Sequence, residues 1–195
     1  MKLADLTEEV KTVLTKERFD HSVRVLDTAK KLATHYEVPA HDVEIAAIFH
    51  DYAKCFSIES LREYIVYYEI DRTLLNYHHE LWHGPVAAEM IRDKFQITNP
   101  DIYRAIYYHT TGRAEMSMLE YIVFVADFTE PERNIPGIDE IRSLSYQNIK
   151  MAARKALQST IIHLMNQDAI VHPDTFEAYN GITHMIEERS SIERN

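Results

Sequence analysis

The sequence has one cysteine, Cys55, and no long apolar run. A single cysteine excludes an intramolecular disulfide, and a reducing compartment is the simplest setting for such a chain. No stretch reaches the roughly 18 apolar residues of a transmembrane helix. The first residues, MKLADLTEEVKTVLTKER, lack the apolar core of a signal peptide. We therefore expect a soluble protein of the cytoplasm.

Basic residues are scarce relative to acidic ones. The chain carries 21 Lys and Arg against 31 Asp and Glu, a formal net charge of -10. Extended binding to nucleic acid or to an anionic membrane needs a basic surface, which argues against both as partners. A small phosphorylated ligand is still compatible with this charge, because a metal ion or a few local cations can reverse the field inside a cleft.

Glycine and proline are also few, at 4 and 6 residues in 195. Alternating β patterns are scarce and helical spacing dominates, so we expect an all-α fold built by helix-on-helix packing. We expect one domain over residues 1–195, with a core at about 16–180 and with a short N-terminal helix and a C-terminal tail as appendages. The predicted helices span 3–15, 17–36, 40–53, 58–68, 79–95, 99–109, 117–129, 138–143, 146–168 and 173–188.

Two acidic motifs interrupt strongly apolar helices. His50 and Asp51 follow IAAIF, and Asp127 lies within YIVFVADF. An isolated carboxylate inside a helical bundle is costly unless it is neutralised, paired or bound to a cation. Taken singly, each histidine reads as a core residue bonded to backbone or water, and each aspartate as a helix cap or an arginine partner. Taken together, they favour a shared cation such as Fe, Mn, Zn or Co.

The order of these residues resembles the HD-domain superfamily of metal-dependent phosphohydrolases. His21, His50-Asp51 and Asp127 follow its H…HD…D pattern, and Lys54 completes the HDxxK form.

Three further segments are similar to the YqeK-like family within that superfamily. They are ELWHGPVAA around His83, YHTTG around His109, and ADFTEPER from Ala126 onwards. The resemblance runs from about Lys16 to Asn180. That family is known as bacterial bis(5′-nucleosyl)-tetraphosphatases of the symmetrical type, which split diadenosine tetraphosphate into two ADP.

The resemblance implies a helical HD domain with a dinuclear metal site. The first metal would be held by His21, His50, Asp51 and Asp127. Asp51 would bridge to a second metal, whose other ligands would be His83 and His109. The resemblance implies two iron ions, divalent or trivalent, with Mn or Co as substitutes. A hydroxide shared between the ions would attack phosphorus, with Asp51, Lys54 and Asp127 as catalytic residues.

Three cationic side chains are candidates for contact with the substrate, a dinucleoside polyphosphate. Lys54 lies one turn beyond Asp51, Arg18 lies one turn before His21, and Arg133 follows the helix of Asp127. The alternative for an isolated lysine or arginine is a solvated surface charge.

Weaker candidates come from two loops. Thr110 and Thr111 either donate hydroxyls to phosphate or satisfy carbonyls at the end of a helix. Ile170, His172 and Thr175 lie in a segment that matches a nucleotide-contacting segment of the family. The alternative for that segment is a plain turn that caps the last helix.

Other functions stay open at this point. The chain could be an HD phosphohydrolase acting on another nucleotide, such as a nucleoside mono-, di- or triphosphate. It could also be a module that binds metal or nucleotide without hydrolysis. A purely structural helical protein would leave Asp127 unexplained. The aromatic stretch at 64–68 could serve a homodimer or pack within the domain.

Overall fold

The computed structural model describes residues 2–192, with side chains described as far as residue 188. Within this range the chain forms ten α-helices and two short 3₁₀ helices, at Arg72–Asn76 and His79–Leu81, and no strand. The all-α prediction is confirmed. The α-helices are α1 (Leu3–Val13), α2 (Lys16–His35), α3 (Ala40–Phe49), α4 (Ile58–Tyr67), α5 (His83–Phe95), α6 (Pro100–Tyr107), α7 (Met118–Thr129), α8 (Ile138–Gln147), α9 (Ile149–Asn166) and α10 (Pro173–Ile192).

Local sequence signals start several of these helices. Thr15 caps α2 by accepting a hydrogen bond from the backbone N–H of Arg18. Ser117 and Glu120 form a reciprocal capping box at the start of α7. Asn99 caps α6, and Pro100 occupies the first helical position, where its missing N–H costs nothing. These caps fix the entry points of the helices that carry the site.

The apolar helix α7 lies at the centre of the fold. Its residues 119–126 are all buried, and it packs against α2, α3, α6, α8 and α9. A helix that is apolar all round needs such surroundings, because every exposed face would cost free energy. Its C-terminal end therefore places Asp127 next to the first turns of α2 and the end of α3.

Several predicted boundaries were wrong. Helix α8 continues to Gln147 rather than ending at 143, α9 begins at Ile149 rather than at 146, and α10 continues to Ile192 rather than ending at 188. Three other errors fall at proposed ligands. Helix α3 ends at Phe49 rather than near 53, because tighter turns follow, with the N–H of Tyr52 bonded to the carbonyl of Phe49 at 3.0 Å. Helix α5 begins at His83 rather than at 79, as suits Pro85 in its first turn. Helix α6 ends at Tyr107 rather than at 109, and the N–H of Gly112 (φ 65°) bonds back to the Tyr108 carbonyl at 2.8 Å.

The remaining segments pack largely as expected. Leu6 and Val10 of α1 are buried, and α1 packs against α3. In the stretch 64–68, Ile65 is buried whereas Val66 and Tyr67 are exposed, so only part of it faces outwards. The predicted C-terminal tail overlaps α10 up to residue 192, and its residues 193–195 lie outside the described range. None of the helices in that range is long and apolar enough to cross a membrane.

Candidate metal centre

All six proposed ligands meet at one point, where the ends of five helices converge. Each ligand is carried by a helix terminus or by the turn that follows it. The set comprises His21 near the start of α2, His50 and Asp51 after α3, His83 at the start of α5, His109 after α6, and Asp127 near the end of α7.

One group of contacts is centred on the second oxygen of Asp51 and on Asp127. His21 Nε2 lies 3.1 Å from Asp127 Oδ1 and 3.9 Å from Asp51 Oδ2. His50 Nε2 lies 3.7 Å from Asp51 Oδ2 and 3.9 Å from Asp127 Oδ1. Ligand atoms of His21, His50 and Asp127 all fall within 4.8 Å of one another. This spacing suits a cation placed among them.

The other oxygen of Asp51 faces a different pair of histidines. Asp51 Oδ1 lies 3.0 Å from His83 Nε2 and 3.7 Å from His109 Nε2. The two Nε2 atoms lie 3.0 Å apart. Asp51 therefore presents one oxygen to each group, which is the arrangement that a carboxylate bridging two cations requires.

The hydrogen bonds of the rings fix which nitrogen carries the lone pair. His50 Nδ1 lies 2.7 Å from the Ala47 carbonyl, and His109 Nδ1 lies 2.7 Å from the Ile106 carbonyl. A carbonyl only accepts, so both Nδ1 atoms donate and both Nε2 atoms expose lone pairs to the centre. His50 Nε2 is buried with no hydrogen-bond partner among the described residues. Such an orphaned nitrogen fits a metal ligand.

Burial keeps two of the imidazoles neutral. It lowers the pKa of His50, and it lowers the pKa of His83 to about 4 despite the nearby Asp51. Neutral imidazole is the form that binds a metal.

The two aspartates stay ionised. Burial alone would raise the pKa of Asp51, but His50, His109 and His83 hold it well below its usual range. Burial is likewise outweighed at Asp127, whose pKa is lowered by His21, His50, His109 and Arg133. Two ionised carboxylates beside the neutral imidazoles of His50 and His83 form a donor set suited to a first-row transition metal.

The three cationic side chains proposed for substrate contact each form a contact at or near this centre. Arg133 donates from Nη2 to the Asp127 carbonyl at 3.1 Å and to Asp127 Oδ1 at 3.2 Å. Arg18 Nη1 lies 3.8 Å from Asp51 Oδ2. Lys54, three residues after Asp51, forms an ion pair with Glu80. None of the three is a purely solvated charge.

Two cavities adjoin the centre. A polar cavity of about 780 Å³ is lined by His21, Arg18 and Arg133 together with Lys16 and Arg24. An apolar cavity of about 540 Å³ lies between the 3₁₀ turn before α5, the end of α9 and the loop at 167–172 that joins α9 to α10. Its lining includes Leu81, Leu164, Ile170, His172, Thr110 and Thr175.

Comparison with known proteins identifies the fold that carries this centre. The family model of the HD domain matches residues 18–132, more than half of the chain. The chain belongs to the HD-domain family. A protein of Bacillus subtilis named Bis(5′-nucleosyl)-tetraphosphatase, symmetrical, is 40% identical over 89% of this chain and 93% of its own length. A protein of the same name from Staphylococcus aureus is 35% identical over 87% and 89% of the two chains.

A solved structure shares the whole architecture. It is described as a predicted HD superfamily hydrolase involved in NAD metabolism from Clostridium acetobutylicum. It superposes with a TM-score of 0.89 at 30% identity and covers 95% of this chain and 98% of its own. The bundle, including the helix ends that carry the proposed ligands, is thus that of an HD domain.

The two threonines of this HD domain differ in their surroundings. The Thr111 hydroxyl donates to the Gly112 carbonyl at 2.9 Å, which is the local backbone alternative. Thr110 Oγ1 is buried with no hydrogen-bond partner among the described residues and lines the apolar cavity. Thr110 is therefore better placed than Thr111 to contact a ligand.

The sequence analysis assigned no role to three charged residues at the edge of the centre. Glu80 pairs with Lys54, and Glu130 is buried beside His21 with Arg24 on its other side. Glu80 and Glu130 lie in the segments ELWHGPVAA and ADFTEPER, and Glu130 also stands directly after the apolar helix α7. Their place in these segments was the available signal, whereas nothing local marked Arg24.

Proposed function

We propose that this HD domain hydrolyses diadenosine tetraphosphate symmetrically into two ADP. The observation that carries the proposal is the complete six-residue centre, with one Asp51 oxygen facing each histidine group, in a chain 35–40% identical to proteins named symmetrical bis(5′-nucleosyl)-tetraphosphatases. The proposal also assigns two metal ions, of which iron is the first candidate and Mn or Co are substitutes.

The residues divide between the two proposed ions. His21, His50, Asp51 and Asp127 would hold the first, and Asp51, His83 and His109 the second. When bound, such a pair supplies Lewis acidity that lowers the pKa of a shared water towards about 7 and stabilises charge on the phosphoryl group. The buried helix ends supply rigidity, because each ligand is anchored by a packed helix.

The cationic side chains are proposed to bind the polyphosphate. In the cavity of about 780 Å³, Lys16 is paired with Asp20, and Arg24 with Glu130 and Glu132. Arg18 and Arg133 instead point towards the aspartates of the centre. Phosphoryl transfer depends mainly on positioning and charge neutralisation, which these two guanidinium groups can supply.

Lys54 is proposed as the cation nearest the breaking bond. Its ammonium group now pairs with Glu80 at the rim of the apolar cavity. A substrate phosphate at this place would compete with Glu80 for the lysine. Hydrolysis forms one P–O bond from water and breaks one bridging P–O bond, so that the second ADP leaves as an anion that Lys54 can stabilise.

The apolar cavity is proposed to take a nucleoside. Leu81, Leu164 and Ile170 offer apolar surface, and the unpartnered Thr110 hydroxyl offers one polar contact. Ligand sites commonly combine such apolar lining with a few polar groups. His172 and Thr175 line the same cavity, which agrees with their proposed nucleotide contacts.

The decisive experiment is product analysis. Purified protein supplied with Fe²⁺, Mn²⁺ or Co²⁺ is incubated with diadenosine tetraphosphate, and the nucleotides are separated by chromatography. ADP as the sole product supports the proposal. ATP with AMP, faster turnover of a deoxynucleoside triphosphate or of NAD, or binding without turnover would contradict it. The Asp51→Ala variant serves as the negative control.

A further inference from the structure

His21 differs from the other histidines of the centre in the group that contacts its Nδ1 atom, the ring nitrogen that faces away from the centre. The Nδ1 atoms of His50 and His109 each donate to a backbone carbonyl. His83 Nδ1 has no hydrogen-bond partner among the described residues. His21 Nδ1 instead faces a carboxylate, with Glu130 Oε1 at 3.5 Å, while His21 Nε2 faces Asp127 Oδ1 at 3.1 Å.

Glu130 is held firmly in that position. Its other oxygen, Oε2, accepts from Arg24 Nε at 2.7 Å and from the backbone N–H of Glu132 at 2.9 Å. The residue is only 4% exposed. Arg142 from α8 also donates to the carbonyls of Glu130 at 2.9 Å and Arg133 at 2.8 Å, which fixes the backbone of this segment.

We propose that Glu130 is a positioning residue that sets the tautomer of His21. By accepting from Nδ1–H, it keeps the lone pair on Nε2 and aims that nitrogen at Asp127 and the first metal position. The inference rests on the proposed function in assuming a metal bound at this centre. The role of Glu130 is argued from the contacts described above. Glu130 is no ligand itself, because its carboxylate lies on the side of the ring that faces away from the centre.

The hydrogen bonds of Glu130 make a sharp prediction for Glu130→Gln. Two donors, Arg24 Nε and the Glu132 N–H, both point at Oε2. A glutamine would place its single oxygen there and turn its NH₂ group towards His21 Nδ1. That arrangement favours the opposite tautomer, in which Nε2 carries the hydrogen and cannot bind a metal.

Two measurements test this without any nucleotide. In metal-free protein the Asp127 carboxylate, at 3.1 Å from His21 Nε2, would itself accept a hydrogen from that nitrogen, so the tautomer is read in an Asp127→Ala background. NMR with ¹⁵N-labelled histidine, at a pH of about 9 so that imidazole is neutral, reports which nitrogen of His21 is protonated there. Titration with Co²⁺ of proteins that keep Asp127 reports metal affinity. We expect Nδ1–H with Glu130 in place, Nε2–H with Glu130→Gln, and a loss of Co²⁺ affinity of about 10- to 100-fold.

The controls separate positioning from a general effect. Glu132→Gln also removes a carboxylate paired with Arg24, at 3.1 Å, but that side chain is 71% exposed. It should leave the tautomer and the affinity unchanged. In a His21→Ala background, Glu130→Gln should weaken Co²⁺ binding no further, because its effect passes through His21.

An unchanged tautomer in Glu130→Gln would overturn the inference. So would an equal loss of affinity in Glu132→Gln, or a further loss in the His21→Ala background. Failure of diadenosine tetraphosphate as a substrate would overturn the proposed function and leave these results standing, since neither readout uses a nucleotide.

Discussion

Gly84 sets the distance between the two helices that carry His83 and His109. A Cβ atom at residue 84 would lie 3.0 Å from the Tyr107 carbonyl oxygen, 3.1 Å from that of Ile106 and 3.2 Å from His109 Cε1. Ordinary contacts at such an atom are 3.4–4 Å. Two of the three neighbours are backbone atoms that cannot rotate away. Gly84→Ala must therefore push the start of α5 and the end of α6 apart by a few tenths of an ångström.

The effect of this substitution on the free energy of unfolding is the cost of the steric clash less the gain in helix propensity of alanine over glycine. Overpacking in a well-packed core costs about 1–3 kcal/mol. Alanine recovers up to about 1 kcal/mol over glycine inside a helix. We expect a net loss of about 1–2 kcal/mol, which corresponds to a fall in Tm of roughly 2–8 °C for a chain of this size.

The same displacement should weaken the proposed second metal position. The 3.0 Å spacing of His83 Nε2 to His109 Nε2 spans the α5–α6 contact. The 3.0 Å spacing of His83 Nε2 to Asp51 Oδ1 depends on the same start of α5. We expect hydrolysis of diadenosine tetraphosphate to fall by at least about tenfold, because misplacements near 1 Å can cost about 100-fold.

Thermal unfolding, Co²⁺ titration and steady-state kinetics measure these effects, with Gly181→Ala as the matched control. A Cβ at Gly181 in α10 would meet nothing within 4 Å. That variant should gain up to about 1 kcal/mol and keep its activity. A Gly84→Ala protein with the stability and the Co²⁺ affinity of the parent would refute the reasoning.

Four further outcomes follow from the structure. Asp51→Ala should lose its bound metal and more than about 100-fold in activity, because loss of a direct ligand costs more than loss of a residue that only orients one. Elemental analysis measures the metal content and steady-state kinetics the activity. A variant that keeps full turnover would contradict the two-metal assignment. Lys54→Ala should keep its metal and lose roughly 100- to 1,000-fold in kcat, whereas unchanged kinetics would make it a surface charge. Chelation should lower Tm by roughly 5–11 °C if metal was present at about 100 times its Kd, equivalent to about 2.7 kcal/mol; an unmoved Tm would argue against a structured metal site. The pKa of Glu9 is lowered from its usual 4.5 by hydrogen bonds from Lys94 and Tyr52. Its contribution of about 0.5–1 kcal/mol should thus be complete well above pH 4.5 and lost as pH falls through the lowered pKa. Urea unfolding of Glu9→Gln at pH 6 and pH 3 checks this, and an equal deficit at both values would contradict it.

The six residues that the sequence proposed as ligands lie together in the structure, but their arrangement could not be predicted from the sequence. His50, Asp51 and Asp127 could be recognised because each interrupts an apolar helix, and a buried charge needs a partner. His83 and His109 came from the resemblance alone, since a single buried histidine is commonly satisfied by the backbone. The helix pattern also gave the right elements, because apolar spacing and capping residues are local signals.

What the sequence could not give depends on contacts between distant segments. Arg24 and Glu130 are 106 residues apart, and Lys54 and Glu80 are 26 apart. No local pattern encodes such pairs. The end of α3, the start of α5 and the end of α6 were misplaced for a related reason. Tight turns and side-chain contacts to backbone carbonyls there override helical propensity, and they aim the ligands at the centre.

The most direct test of the central proposal is hydrolysis of diadenosine tetraphosphate in ¹⁸O-labelled water, followed by mass spectrometry of the products. Attack by water on one of the two inner phosphorus atoms should yield ADP alone, with one ¹⁸O atom in one of every two ADP molecules, on its terminal phosphate. ATP with AMP, or no turnover by metal-loaded protein, would contradict symmetrical cleavage by this centre.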